Sequence, residues 1–463
     1  MATSIDKPAI SARGRYVILV VAFLGWAYAG VQMSINGIVM RVAVADLLPD
    51  GTSEGVIGQW FGWYTCAFLF GAAAGGYLFG YVGDTFGRAK AMAASILCYS
   101  IFSLITSYAR TPSQLLVLRF LTCLGIGGMW PNGIALLSEA WASVSRPVVA
   151  GVMGTSANVG ILVFALYTVL GHEVTGDDWR WTFLAGAFPV LLGVFSLWFV
   201  PESPSWLAVK HGATNHDDKP PPKAGLAEIF KPPIWKTTVI GILLGTIPLF
   251  GGWGVSNWAT AWASEVGDTA KQAVAADGGE DAMPDPPPKP DPILKSMTVV
   301  ARSLPGSVSS LLGGMLAFAI GRKLSYFLLC IGALVCTQFL FRVDNPVDSQ
   351  LLFTINMFYR ELKITEFLGW TFGLGFFSGF FFGWLPLCLP EMFPTRMRAT
   401  GAGVSFNWGR ILTAIGVLLS AVALKQMFKG EYAMVGQITG LIYAVGLVVI
   451  FFAPDTRDRA LDV

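Results

Sequence analysis

The chain has 463 residues, of which 13% are charged and 54% hydrophobic, and its mean hydropathy is +0.60. Soluble domains carry about 25% charged residues, so a string of water-soluble domains is excluded. The net charge of +2 gains meaning only when it is divided between the connections.

In chain order, charge-free runs of at least 18 residues cover 16 to 40, 55 to 83, 91 to 109, 120 to 138, 147 to 172, 181 to 201, 237 to 264, 303 to 321, 324 to 341, 367 to 390 and 432 to 454. A further run, 399 to 424, is broken only by Arg410. Each is long enough for a helix to cross a bilayer, which takes about 20 residues. Twelve spans put both termini on one side. Connections on the terminal side hold 17 basic and 11 acidic residues and those on the other side 12 and 18, with Arg119 and Arg410 inside spans. By the positive-inside rule the termini are cytoplasmic, and the protein is expected in the plasma (inner) membrane. The first fifteen residues are hydrophilic and the run after them is too long for a signal peptide, so the first span is expected to be retained. The six cysteines all fall in apolar runs and read as small core residues. His172, His211 and His216 are scattered, so no metal site is expected.

Three elements recur in order. Gly80-x6-Gly87-Arg88 returns as Gly314-x6-Gly321-Arg322, Glu139-x6-Arg146 as Glu391-x6-Arg398, and Pro201-Glu202-Ser203 as Pro454-Asp455-Thr456. Each copy sits at the same span end, so the chain reads as a duplication. The expected fold is an all-α integral membrane protein, twelve transmembrane helices in two six-helix pseudo-symmetric bundles. The bundles are placed at 1–200 and 237–463, joined by a Pro-rich linker at 201–236, with an acidic outer loop at 265–295.

The same elements carry a resemblance. Gly80-Tyr81-Val82-Gly83-Asp84-Thr85-Phe86-Gly87-Arg88-Ala89-Lys90 is similar to the loop between spans two and three of the major facilitator superfamily, with Thr85 where that family usually has Arg. Arg119 followed by Gly125, Gly127 and Gly128 resembles its fourth-span motif. The segments Pro201-Glu202-Ser203-Pro204-Ser205-Trp206-Leu207 and Pro390-Glu391-Met392-Phe393-Pro394-Thr395-Arg396-Met397-Arg398 resemble its sugar porter and organic-acid symporter branches. The resemblance implies alternating access between two halves, with a small polar metabolite as substrate, no cofactor and no enzymatic step. It also implies a cytoplasmic gate of Asp84, Gly87, Arg88, Glu139, Arg146, Arg322, Glu391 and Arg398. There Asp84 faces the positive end of span eleven near Thr400 and Gly401 when that side is closed, and Glu139 with Arg146 and Glu391 with Arg398 are expected inter-helix pairs.

Candidates for the substrate path are polar or aromatic groups inside spans: Tyr28, Gln32 and Asn36 at i, i+4 and i+8 of span one, Arg119, Asn158, Trp253, Asn257, Trp384, Asn407, Trp408 and Arg410. Arg410 lies about 15 Å into its span at 1.5 Å per residue. A charge there costs about 2.5 to 3.5 kcal/mol to insert, and no carboxylate lies well inside any span to offset it. The expected cargo is therefore an organic anion with Arg410 as its main contact. The same lack leaves proton coupling through a midplane carboxylate without a candidate residue. The rival readings are a neutral sugar facilitator, a transporter-like nutrient sensor, which lacks a sizeable soluble segment here, and a membrane enzyme, whose usual motifs are absent. The partners expected are the substrate and the lipid bilayer, with a coupling ion left open, no nucleic acid, and a monomeric state.

Overall fold

The computed structural model describes residues 10–141, 144, 146–204, 206–207, 228–265, 293–357, 360–394, 397–428 and 431–454. Twelve of its helices are long and apolar enough to cross a membrane: Ala12–Ile38, Glu54–Phe86, Arg88–Thr106, Pro112–Ala140, Gly151–Leu170, Trp181–Phe199, Trp235–Glu265, Leu294–Ile320, Arg322–Leu340, Glu366–Glu391, Thr400–Ala423 and Tyr432–Phe452. They are numbered as spans one to twelve below. Lipid offers no hydrogen-bond partners, so a spanning backbone must satisfy itself internally, and the helix does this. Most of the linker and the long loop after span seven lie outside the described residues.

Helix ends follow local chemistry. Span one starts at Ser11, whose Oγ accepts from the Gly14 amide at 3.1 Å. Span four starts at Thr111, whose Oγ1 accepts from the Gln114 amide at 3.2 Å, with Pro112 as its first residue. Spans two and three are joined through Gly87 at φ +112°, and spans eight and nine through Gly321 at φ +97°. Only glycine adopts that conformation without strain, so the repeated Gly-Arg of the sequence is a pair of equivalent one-residue turns.

Within each bundle, helices approach to backbone contact where the sequence supplies glycine. A Cβ added at Gly75 of span two would overlap the Leu124 carbonyl of span four, and one at Gly127 of span four would overlap the Ala72 carbonyl. Span eight meets span ten in the same way through Gly313 and Gly383. Of the spans that proline interrupts, six breaks at Pro189, between Trp181–Ala187 and Val190–Phe199. In span seven a π-helical turn, Gly251–Val255, follows Pro248. Pro131, Pro305 and Pro386 sit inside continuous helices.

The connection after span nine forms an antiparallel hairpin of Leu351–Met357 with Arg360–Thr365, Thr354 opposite Lys363. It reaches the other bundle, where Arg360 Nη1 lies 2.7 Å from Glu173 Oε1.

Candidate functional site: a cavity between the bundles

The two bundles meet along two seams. Along one, span five packs on span eight: Thr155 Oγ1 donates to the Ser307 carbonyl at 3.0 Å, and Thr168 Oγ1 to Ser296 Oγ at 2.9 Å. Along the other, span two packs on span eleven, from Gly62 against Ala421, through Cys66 with the Ala414 carbonyl, to Gly76 beside Asn407. Beyond that point spans two and eleven separate. A Cβ at Gly80 or at Gly403 would meet nothing within 4 Å.

The opening this leaves is a cavity of about 700 Å³ that runs from the middle of the spans to the face where span one begins and span twelve ends. Asp84, Pro390 and Thr400 line its mouth. The opposite face is closed by contacts between the bundles. Arg41 pairs with Glu54 and donates to Ser264 Oγ at 3.2 Å, and Tyr432 OH donates to Glu54 at 3.4 Å. Lys295 Nζ donates to the Val174 carbonyl at 2.8 Å. The structure is thus open to one side only, a conformation that alternating access requires.

Inside, the walls are aromatic and cationic. Trp26 lies 5.2 Å from Trp130 and Phe68 lies 4.4 Å from Trp253, measured between ring centroids, and all four rings line the cavity. Arg410 enters from span eleven. Its Nη1 donates to the Ala72 carbonyl of span two at 3.1 Å and to Asn407 Oδ1 at 3.3 Å, and its guanidinium stacks 4.7 Å over Phe406. Arg302 enters from span eight, with Nη1 donating to the Gly252 carbonyl at 3.0 Å, inside the π-helical turn of span seven. Asn158 reaches the cavity from span five, its amide 3.3 Å from Ser310 Oγ. Among the described residues neither arginine has a carboxylate within ion-pair distance, and the one acid in the lining is Asp84 at the mouth.

Of the sequence candidates, Asn158, Trp253, Asn407 and Arg410 line the cavity, and the others lie elsewhere. Tyr28 packs against Phe188 of span six, with ring centroids 6.3 Å apart. Gln32 Nε2 donates to the Gly186 carbonyl at 2.9 Å, and Arg119 Nη2 donates to the Gln32 carbonyl at 2.5 Å, tying spans one, four and six together. Asn36 donates to Thr65 Oγ1 at 3.1 Å. The shared face of Tyr28, Gln32 and Asn36 therefore turns into its own bundle, while Trp26 and Met33 face the cavity. Helical spacing fixes which residues share a face, not which neighbour covers it. Asn257 bonds back to the Trp253 carbonyl at 2.8 Å, Trp384 Nε1 donates to the Arg322 carbonyl at 3.0 Å, and Trp408 is 42% exposed on the outer, apolar surface.

The charged turns hold pairs within each bundle. Glu139 pairs with Arg88 and accepts from Ser203 Oγ, and Glu391 receives two bonds from Arg322 at 3.1 and 3.2 Å. Each pair joins helices of one bundle and anchors the one-residue turn after Gly87 or Gly321. The side chains of Arg146 and Arg398 lie outside the described residues. Glu202 Oε1 accepts from the Ala89 amide at 3.0 Å, which caps span three.

Arg302 is the charged cavity residue that the sequence did not reveal, and Trp26, Phe68 and Trp130 are aromatic ones. The charge-free run was counted from residue 303, which put Arg302 in the preceding connection, whereas span eight begins at Leu294. The stretch 296 to 321 carries Arg302 as its one charge, just as 399 to 424 carries Arg410.

The profile of the Major Facilitator Superfamily matches residues 16–417, and the chain belongs to that family. It is a multi-pass membrane transporter and not an enzyme. It is 27% identical over 452 residues to a putative metabolite transport protein of Haemophilus influenzae, covering 96% of this chain and 97% of that one. It is 25% identical over 396 residues to the cis,cis-muconate transport protein of Acinetobacter baylyi, covering 85% and 84%. Among solved structures, the xylose transporter XylE from E. coli superposes with a TM-score of 0.67 at 17% identity, covering 97% of this chain and 100% of that one.

Proposed function

We propose that the protein carries a small organic carboxylate across the bacterial inner membrane, with both termini in the cytoplasm and the cavity of a single chain sufficient for transport. The observation that carries this reading is the pair Arg302 and Arg410 lining a cavity, with no neighbouring carboxylate among the described residues. A cation held near mid-membrane is tolerated when a partner or a wet cavity offsets it, and an anionic cargo supplies that partner when it displaces the water. The facing wall of Trp26, Trp130 and Phe68 suits a planar or apolar body behind the carboxylate. The muconate carrier among the relatives is named for a cargo of this kind. The basic bias of the short terminal-side connections supports the orientation.

Three tryptophans in the lining, Trp26, Trp130 and Trp253, give an intrinsic probe. Titration of the purified protein with benzoate, adipate, terephthalate, D-xylose and uridine should change its fluorescence saturably for at least one carboxylate. A response to D-xylose or uridine alone would overturn the reading in favour of a neutral-solute carrier. Orientation is tested by cysteines at Ser53 and Thr85 in a cysteine-free background. An impermeant reagent added to whole cells should label the first only, and labelling of Thr85→Cys alone would reverse the topology.

A further inference from the structure

We propose that the protein is an anion exchanger, in which the carrier reorients when an anion bridges its cavity arginines and is held in place when empty. The proposal rests on the anion reading above and adds the mode of transport.

The first observation is positional. Arg410 belongs to one bundle and its acceptor, the Ala72 carbonyl, to the other. The bond lies on the seam between spans two and eleven, at the point where the helices begin to part toward the open face. Reorientation closes the parted ends and opens the contacts on the far side, from Gly62 with Ala421 to Cys66 with Ala414, and the Arg410 bond, next along that closed stretch of the seam, breaks as the cavity turns to the other side and re-forms on the return. In the empty carrier nothing replaces it. In the loaded carrier a carboxylate oxygen accepts from the same guanidinium before the seam opens.

The second observation is the charge balance. Occlusion removes the remaining water from Arg302, which is half-buried, and from Arg410, which is 7% exposed in the open carrier. Arg302 is otherwise satisfied by the neutral carbonyl of Gly252 and Arg410 by those of Ala72 and Asn407. Closing the empty cavity therefore completes the desolvation of two cations that have no countercharge among the described residues, and such burial is unfavourable. A bound anion removes that penalty. A proton cannot, because it adds positive charge, and the lining offers a carboxylate only at Asp84, at the mouth. Both half-cycles then need an anion, and transport is one anion in for one out.

The test uses the full-length protein in liposomes and, as probe, whichever of benzoate, adipate or terephthalate binds most tightly in the fluorescence titration. Vesicles loaded with the radiolabelled probe are diluted into buffer with or without the unlabelled probe. Efflux should be at least tenfold faster with the probe outside, and an imposed pH gradient should drive no accumulation into probe-free vesicles. Equal efflux in both buffers, or accumulation driven by the pH gradient, would overturn the exchange proposal while leaving the anion reading intact. Absence of binding by all three carboxylates would overturn both.

Discussion

Replacing Arg410 by glutamine tests the site most directly, and the structure bounds the effect. In the empty carrier the guanidinium already donates to Ala72 and Asn407 and stacks on Phe406, so an anion gains only the difference between its own bond and those it displaces. A bond to a charged group contributes about 1.5 to 3 kcal/mol and an ordinary one about 0.5 to 1.5, which leaves a net of about 1 to 2 kcal/mol, or roughly a 5- to 30-fold rise in Kd. Arg302→Gln should weaken binding by a similar factor, and the double variant resolves how the two share the ligand. If both contact one carboxylate, their effects couple by about 0.5 kcal/mol or more. If they hold opposite ends of a dicarboxylate, the effects add for adipate, and only one variant affects benzoate. Tryptophan fluorescence reads Kd and a thermal melt checks that the fold survives. A Kd for every carboxylate within twofold of wild type in the Arg410→Gln variant, with the melt unchanged, would refute the assignment.

The remaining expectations concern packing and gating. Gly75→Ala forces its Cβ into the Leu124 carbonyl and should lower stability by about 1 to 3 kcal/mol, whereas Gly80→Ala, with nothing within 4 Å, should leave the melting temperature within a degree or two. Equal losses for both would contradict the helix contacts described. Glu391→Gln removes the carboxylate that receives two bonds from Arg322, both side chains being largely buried, and should destabilise by about 1 to 3 kcal/mol, a value reduced from the buried-pair range because the pair sits at a helix end. Glu139→Gln, whose pair with Arg88 is more exposed, should cost about 0 to 1 kcal/mol, and the reverse order in thermal melts would count against these pairings. Asp84→Asn removes a charge expected to meet the start of span eleven only when the mouth is closed, a contribution of about 0.3 to 1 kcal/mol. Electron-resonance distances between labels at Tyr81 and Gly403 should shift toward the open state, and an unchanged distribution would reduce Asp84 to a marker of topology.

Much of this architecture was legible without coordinates because lipid imposes a coarse rule. A helix that must satisfy its own backbone and avoid charge writes itself into the sequence as an apolar run, and the runs coincide with the spans to within about four residues, except that spans four and eight begin at Pro112 and Leu294, well before their runs at 120 and 303. The duplication was legible because glycine at positive φ and an arginine after it are needed at the same span end in both bundles, as Gly87 and Gly321 show. The glycines of spans two and four announced close packing for the same steric reason, since any Cβ at Gly75 or Gly127 would meet a carbonyl of the neighbouring helix.

Which polar residues face the cavity was decided by the tertiary structure alone. The spacing of Tyr28, Gln32 and Asn36 placed them on one face, but whether that face looked into the bundle or between the bundles depended on the rotation of span one against spans two, four and six, which no local pattern encodes. Arg119 and Arg410 are both cations inside spans, and the sequence marked Arg410 as the main contact. Packing made the first a buried tie to Gln32 and set the second on the seam against Ala72. The salt-bridge partners of Glu139 and Glu391 and the closure of the far face by Arg41 and Glu54 likewise join residues from separate helices. The sequence by itself determined the membrane fold, its duplication and the presence of mid-membrane cations, because these follow from solvent and backbone constraints on single helices. The shape and charge of the cavity came only from assembly, because they depend on how twelve helices rotate against one another.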